Sequence, residues 1–381
     1  MSVVSRQAWL RWATVAGGTV ALCALPVIVG ALPVPEPPIS ATALRARILA
    51  SGHVSYQEHV SYQEYAESTV SLGLPSLPDL SGVSMLLDGT TDQYTWYRSP
   101  AHWRAEMSTP AGQDDTYQDG GATYLWDYGR NLLTKIVGSQ PVRLPRAADL
   151  LPPALGRRLL ALAAGSGRLS RLPSRRIAGI DAAGLQVRAT DPRTTIAAVD
   201  IWADPATGLP LEVRVYARGI AQPVLVTSFL QVSEHRPALS NVIPDPAPGV
   251  DQVTGRLSTL NGILNNDQPL WPPVLAGLKL NAPAGGLSGV GFYGTGFTRF
   301  ALLRLPGRIA DQVVSAASSA GAGTLRLRGG RAVLVRTPLL TVLVATSDKV
   351  SDLTFLLAGP VTPAVLERAA SGSLAQIVTL P

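Results

Sequence analysis

The chain has 381 residues, of which 46% are hydrophobic and 15% charged, and this composition excludes an intrinsically disordered protein. Its formal net charge of +6 comes almost entirely from arginine, because lysine occurs only at Lys135, Lys279 and Lys349. The arginines are scattered and form no dense basic run, which argues against nucleic-acid binding.

The N-terminal segment predicts export. Arg6 and Arg11 precede an uncharged apolar run, residues 12–33, and the Pro-rich stretch PVPEPPIS follows. A positive flank and about twenty apolar residues are typical of a signal segment or a membrane anchor. We expect residues 1–40 to tether the chain outside the cytoplasm. Cleavage after Ala31 is the alternative, and it would make the protein secreted.

The only cysteine, Cys23, lies within this apolar run. The exported part therefore contains no disulfide, no thiolate metal site and no cysteine nucleophile.

The next part of the chain predicts a sheet with helices. A short helix is expected over 41–52, and a second helix, over 147–165, has Leu151, Leu155 and Leu159 on one stripe. Around them the pattern has the two-residue period of strands, with short turns between them. These strands are 53–65, 92–98, 102–107, 114–119, 122–128, 131–137, RRIAGI, GLQVRAT, AAVDIWADP, LPLEVRVYAR and PVLVTSFLQV.

A sheet of about ten strands has to curl, and the helices would then lie in its hollow. Residues 41–245 are therefore predicted to form a half-open antiparallel β-barrel with inserted lid helices. Residues 246–270, which contain a short helical piece, are predicted as a linker. Residues 271–381 have the pattern of a small α+β domain, with helices over 307–319 and 362–371. The fold class expected for the chain is α+β.

Residues 53–64 contain the hexad HVSYQE twice. His53 and His59 would lie about 20 Å apart on an extended strand, whereas zinc ligands lie about 2.1 Å from one ion. We therefore expect no metal site and no cofactor. Because the repeat length is even, the duplication keeps every side chain on the same face of the sheet.

The motifs of common enzymes are missing from the sequence. GVGFYG at 289–294 has the spacing of a dinucleotide-binding loop, but a strand-like segment follows where that loop requires a helix. There is no G-x-S-x-G and no H-E-x-x-H. A non-enzymatic protein is the main prediction, and an envelope hydrolase using His102 or His235 is a third hypothesis.

Aromatic and large apolar residues recur at alternate positions of the central strands. Each of these residues taken alone could simply belong to the core of the sheet. Together they predict a concave apolar face that is larger than one helix can fill. Such a cavity would suit an acyl chain or an apolar peptide segment. The candidate residues are Tyr94, Trp96, Trp103, Met107, Tyr117, Tyr124 and Trp126, with Leu151, Leu155 and Leu159 of the lid helix.

Several segments carry a family resemblance, and VDIWADPATGLPLEV is the most specific of them. The others are LLDGTTDQYTWYRSPAHWRAE, YLWDY, PRAADLLPPALGRRLL and FLLAGPVTPAVLERAA. Residues 42–245 resemble the LolA/LolB lipoprotein-carrier superfamily, and within it the MucB/RseB sigma-factor regulatory proteins, in an actinobacterial form. The resemblance implies a half-open β-barrel with an apolar cavity and a second domain. It also implies an extracytoplasmic partner, the outer segment of an anti-sigma factor.

The sequence thus favours a non-enzymatic extracytoplasmic regulator that binds a lipid acyl chain or apolar segment and contacts an anti-sigma factor. The alternative is a lipid or lipoprotein carrier without a signalling role.

Overall fold

The computed structural model describes residues 34–64, 89–109, 112–138, 146–255, 271–281, 289–305, 322–350 and 353–377, with five further residues between 306 and 321. This part of the chain is mostly β-structure, arranged in two sheets of twelve and eight strands.

The first sheet begins within the repeat, since strand β1 covers most of it. In chain order it contains β1 (Tyr56–Glu64), β2 (Gly89–Ser99), β3 (His102–Thr109), β4 (Gly112–Asp119), β5 (Ala122–Asp127), β6 (Leu132–Val137), β7 (Gly167–Ile177), β8 (Ile180–Ala189), β9 (Ile196–Ala203), β10 (Pro210–Ala217), β11 (Pro223–Phe229) and β12 (Asp251–Gly255). Their order in the sheet is β12-β6-β5-β4-β3-β2-β1-β11-β10-β9-β8-β7. The edge strands β12 and β7 are not paired with each other, so the sheet is not a closed barrel.

Two helices pack on one face of this sheet, which we call the helix-side face. Helix α1 (Ala41–Ala50) is capped by Ser40, whose side chain accepts a hydrogen bond from the Ala43 amide at 3.1 Å. Helix α2 (Pro152–Leu162) begins with two prolines, a position where the missing N–H groups cost nothing. Their buried side chains meet apolar residues of the central strands. This core includes Leu44, Ile48, Leu160, Leu185, Val187, Val199, Ile201, Val213 and Val215.

The second sheet carries the last helix. Its strands are β13 (Val274–Leu275), β14 (Leu278–Asn281), β15 (Val290–Tyr293), β16 (Phe300–Leu305), β17 (Gly323–Leu327), β18 (Gly330–Arg336), β19 (Thr341–Ser347) and β20 (Thr354–Gly359), in the order β13-β14-β15-β16-β20-β19-β18-β17. Helix α3 (Pro363–Ile377) buries Val365, Leu366, Ala369 and Leu374 against this sheet.

Backbone hydrogen bonds join the two sheets. Thr194, in the loop between β8 and β9, forms an antiparallel bridge with Val361. The amide of Thr195 donates to the Pro360 carbonyl at 3.0 Å, and the amide of Thr362 donates to the Arg193 carbonyl at 2.8 Å. The loop between β8 and β9 thus continues the hydrogen bonding of one sheet into the segment before α3.

Most predicted strands of the first sheet are present, with two corrections. The segment RRIAGI is not one strand, because Ala178 and Gly179 have φ angles of 49° and 81° and form the turn between β7 and β8. Residues 246–255 are not only linker, since β12 pairs in parallel with β6. The four residues Asp251 to Thr254 are exposed, so their sequence shows none of the alternation that would predict a strand.

Other predictions fall on residues outside the described ranges. They are the anchor at 12–33, the helical piece at 256–265 and most of the helix at 307–319. Within the described ranges, every helix is too short or too polar to span a membrane. The motif GVGFYG contains strand β15, and a three-residue 3-10 helix and then β16 follow, so the structure has no strand-loop-helix unit there.

Candidate functional site

The helix-side face near the start of α2 is built around stacked aromatic rings. Tyr56 stacks on Tyr97 with ring centroids 4.9 Å apart, and Phe229 meets Tyr56 edge-on at 5.5 Å. Leu151, at the start of α2, packs in the same cluster, and Trp103 is partly buried against it. Burial raises the pKa of the Tyr56 hydroxyl, which is therefore neutral over the whole physiological range. This cluster fixes the beginning of α2 over β2 and β3.

The rest of α2 lies over the other half of the sheet. A Cβ on Gly156 would lie 3.2 Å from the Pro210 side chain, so the helix backbone runs very close to β10. Leu155 and Leu159 are partly buried against the core that also contains Leu160. Helix α2 therefore faces the sheet mainly through Pro152, Pro153, Gly156 and Leu160, whereas Leu155 and Leu159 of the predicted stripe are only partly buried beside this face.

On the helix-side face, strands β3 to β6 carry a central row of small or apolar side chains, which Asp114, Gln118 and Asp127 border on β4 and β5. Paired positions cross the strands in one row, Ala105, Thr116, Leu125 and Thr134. Ala105 is buried, whereas Thr116, Leu125 and Thr134 are only half-buried. Neither α1 nor α2 belongs to a core cluster with β4, β5 or β6 among the described residues. This strip, from Ala105 to Thr134, is the shallow part of the helix-side face, and we call it the β3–β6 strip.

The ten candidate residues are divided between the two faces of the sheet. Trp103 and Met107, with Leu151, Leu155 and Leu159 of α2, lie on the helix-side face. Five aromatic candidates occupy the alternate positions and therefore lie on the opposite face. These five are Tyr94, Trp96, Tyr117, Tyr124 and Trp126.

On the opposite face the aromatic residues alternate with cations in a single row. Trp96, Arg104, Tyr117, Tyr124 and Lys135 are direct partners on five neighbouring strands. The Arg104 guanidinium lies 4.8 Å from the Trp96 ring centroid and 5.3 Å from that of Tyr117. The Lys135 ammonium lies 5.5 Å from the Tyr124 centroid. The row has the geometry of a cation–π ladder that stabilises the strand order.

A buried carboxylate anchors this ladder. Arg104 contacts Asp115 Oδ2 through Nη2 at 2.7 Å, and Tyr117 donates its hydroxyl to the same oxygen at 2.9 Å. Gln113 donates to the other oxygen at 2.9 Å. Burial opposes the charge of Arg104, but the carboxylates of Asp115 and Glu106 hold its pKa above the usual value. Sequence reasoning missed Arg104 and Asp115. The signal that the sequence offered was Arg104 itself, a cation on a strand between two strands rich in aromatic residues.

A further polar feature lies at one end of this sheet. The His102 imidazole lies 3.5 Å from Asp119 and 3.4 Å from the Ser99 hydroxyl, at the exposed end of the β2–β3 hairpin. These distances are long for a hydrogen-bonded triad. No group of three or more His, Cys, Asp or Glu residues in the described ranges could hold a metal ion.

Comparisons with known proteins gave likenesses to solved structures alone. No protein-family model matches this chain, and no curated protein matches it. The complex of Pseudomonas aeruginosa MucA and MucB is similar over 87% of this chain and 96% of that chain, with 16% identity and a TM-score of 0.49. A crystal structure of MucB is similar over 87% of this chain and 96% of that chain, with 17% identity and a TM-score of 0.46. A LolA superfamily protein from Nitrosomonas europaea covers 54% of this chain and 99% of its own, with 13% identity and a TM-score of 0.24.

The structures are of MucB and of a LolA superfamily protein, the two groups of proteins that the sequence resembles. Because the TM-scores are below 0.5, the likenesses carry no argument about this chain, whose function has to be inferred from its own residues.

Proposed function

We propose that this protein is a non-enzymatic extracytoplasmic regulator whose first sheet binds an acyl chain or an apolar segment. The sheet would act as a half-open barrel over residues 41–245, with α2 as its lid and the β3–β6 strip as the ligand surface. The observation that carries this proposal is that helices α1 and α2 cover only part of the helix-side face and share no core cluster with the described residues of β4, β5 or β6. The cores of α1 and α2 lie mainly on the half that contains β8 to β11, and the half-buried Thr116, Leu125 and Thr134 belong to no core cluster with either helix among the described residues.

The central row of the β3–β6 strip offers apolar contact to a hydrocarbon chain, and the carboxylates of Asp114 and Asp127 lie at one end of the same face. Met107 and Ile136 on this face are buried, and Leu125 between them is half-buried. The threonines beside them are neutral, and their methyl groups accept apolar contact. Covering half-exposed apolar surface with a hydrocarbon gives about 25 cal/mol per Å² of area removed from water. Trp103, Met107, Leu151, Leu155 and Leu159 are the original candidates that this proposal retains.

The proposed partner is the extracytoplasmic segment of an anti-sigma factor, and the residues that would contact it are not assigned. Support comes from the sequence resemblance to MucB/RseB proteins and from the hydrogen-bonded joint between the two sheets, which offers one continuous surface. The N-terminal segment, residues 12–33, would tether the protein to the cytoplasmic membrane.

The ligand part is tested with a fluorescent fatty acid and the full chain in detergent. Leu155→Asp on α2 and Leu125→Asp on the β3–β6 strip should each weaken uptake about tenfold, because a charge would enter the apolar contact. Leu239→Asp is the matched control, since Leu239 is 48% exposed and lies far along the chain from both. Thermal melting verifies that each variant is folded. Unchanged uptake in both folded variants would exclude this face as the binding site.

The regulatory part is tested separately, by measuring binding of the full chain to the outer segment of the anti-sigma factor encoded nearest its gene. Binding that changes when the fatty acid is added supports regulation. No binding, combined with transfer of the fatty acid between vesicles, would instead support the lipid carrier.

A further inference from the structure

A cavity of about 220 Å³ lies where the two sheets meet, away from the β3–β6 strip. Ser166, Asp191 and Arg193 line it from the first sheet. Lys279 and the turn 294–298 line it from the second. The cavity therefore has walls from two separately folded sheets, which is a common setting for small-ligand sites.

An unpaired hydroxyl lies at the contact between the two walls. Ser166 Oγ is buried and has no hydrogen-bond partner in the described structure. Buried polar groups are almost always paired, and leaving one unpaired costs about 1–3 kcal/mol. The opposite wall comes very close here, because a Cβ on Gly296 would lie 2.4 Å from Ser166 Oγ. Gly296 also has a φ of 60°, so this turn requires glycine for two reasons.

The charged residues of the lining have a positive balance. Lys279 and Arg193 are cationic, and Asp191 is the single acid among the lining residues. Asp191 is paired with Arg193, whose Nη2 lies 2.7 Å from Oδ2, and this side-chain hydrogen bond lowers the pKa of Asp191. Behind the wall, Arg218 donates to the carbonyls of Thr194 and Asp191 at 2.8 and 2.7 Å. One net positive charge remains at the cavity, which favours an anionic occupant.

We propose that this cavity binds a phosphate group, either of a free phosphate ester or of a lipid headgroup, with Lys279 and Ser166 as donors from opposite walls. The volume is smaller than the roughly 300–1000 Å³ of sites for larger ligands, so it suits a group of a few atoms. A phosphate presents several acceptor oxygens in different directions, which fits cationic and hydroxyl donors from two sides. A bound phosphate would connect the sheets and stabilise their joint. This inference does not depend on the proposed acyl-chain site.

The test is calorimetry on the full chain at constant ionic strength, in detergent for the free probes and with the detergent removed when vesicles are the probe. The probes are inorganic phosphate, glycerol 3-phosphate, and phosphatidylcholine vesicles with and without phosphatidic acid. We expect saturable binding that Lys279→Gln weakens about tenfold, the loss of one charge-assisted hydrogen bond. Lys349→Gln is the matched control, because Lys349 is also exposed and lies outside the cavity lining. Binding of the free probes identifies a soluble ligand, and binding only to phosphatidic acid vesicles identifies a headgroup.

Ser166→Ala separates a ligand role from a packing role. Removing an unpaired buried hydroxyl should leave the melting temperature without phosphate unchanged or higher. The same variant should lose phosphate affinity and most of the thermal stabilisation that phosphate gives. Equal losses in the two lysine variants, or no Lys279-dependent binding of any probe, would overturn the proposal.

Discussion

Arg104 and Asp115 form a buried ion pair in the centre of the opposite face, with 2.7 Å between Nη2 and Oδ2. The Asp115 side chain has no exposed surface, and Arg104 lies between the rings of Trp96 and Tyr117. Strands β3 and β4 are therefore held together by a charge pair that is itself enclosed by aromatic side chains. Such a pair is costly to break, because Arg104, whose side chain is 20% exposed, would keep only the Glu106 carboxylate, at 2.9 Å, as a counter-charge.

Asp115→Asn should lower the free energy of unfolding by about 2 kcal/mol, since the half-buried Arg104 loses the nearer of its two carboxylate partners and keeps only Glu106. Urea unfolding at neutral pH measures this value. Asp348→Asn is the matched control, because Asp348 pairs with Arg326 at 3.2 Å on the surface, where such pairs contribute less than about 1 kcal/mol. Equal effects of the two substitutions would show that the Asp115 pair does not act as a buried one.

Asp114 and Asp127 are direct partners on β4 and β5. Burial, and then the charges of Asp127 and Asp115, raise the pKa of Asp114. The folded protein therefore holds this proton more tightly than the unfolded chain. The stability that Asp114 contributes is full below its unfolded pKa and is lost as the pH rises through the higher folded value.

Asp114→Asn should accordingly stabilise the protein at pH 8 by about 0.5 kcal/mol, because it removes repulsion between charges on paired positions. The gain should shrink as the pH falls and disappear below the model-compound value of 3.8. Urea unfolding across this pH range measures it. A gain that grows on acidification would contradict the assignment.

The positions of the strands could be predicted because short turns and alternating residues mark them. The face of the sheet on which each aromatic side chain lies could not. Tyr97 pairs with Trp103, so Trp96 pairs with Arg104 and lies on the other face from Trp103. This register passes through an irregularity between Tyr97 and Ser99, which the sequence does not indicate. Aromatic residues of neighbouring strands therefore belong to two different surfaces, and three of them, Trp96, Tyr117 and Tyr124, form the ladder with Arg104 and Lys135.

The site near the joint could not be predicted for a different reason. Ser166 and Gly296 are distant in sequence and meet only because the two sheets dock. The segment after GVGFYG leads into strand β16, as its alternating residues predicted. The last glycine of GVGFYG, Gly294, lies in the turn that lines the cavity, and this role depends on tertiary structure.

Deleting residues 53–58, the first copy of the hexad, should leave a folded first sheet. Tyr62 then takes the sequence position of Tyr56, so a tyrosine is again available to stack on Tyr97. Strand β1 pairs with β2 without a break from Tyr56 to Glu64, so the register can be resumed after an even deletion. Thermal melting should show one cooperative transition at a lower temperature. Deleting residues 54–58 is the control, because an odd deletion turns every following strand residue to the other face.

Two buried threonines allow the same substitution to be tested with opposite expected results. Thr194 is fully buried at the joint, where its hydroxyl donates to the Pro360 carbonyl at 2.8 Å and accepts from the Ile196 amide at 3.1 Å. Thr227 is equally buried on β11, but its hydroxyl has no partner in the described structure. Thr194→Val should therefore lower the free energy of unfolding by about 2 kcal/mol, because the Ile196 amide loses its hydroxyl acceptor and the Pro360 carbonyl keeps only the bond from the Thr195 amide. Thr227→Val should leave it unchanged or raise it by about 1 kcal/mol, because an unpaired hydroxyl is replaced by a methyl group of similar size. Urea unfolding of both variants measures the difference, and a loss at Thr227 as large as that at Thr194 would show that the Thr227 hydroxyl is bonded in solution.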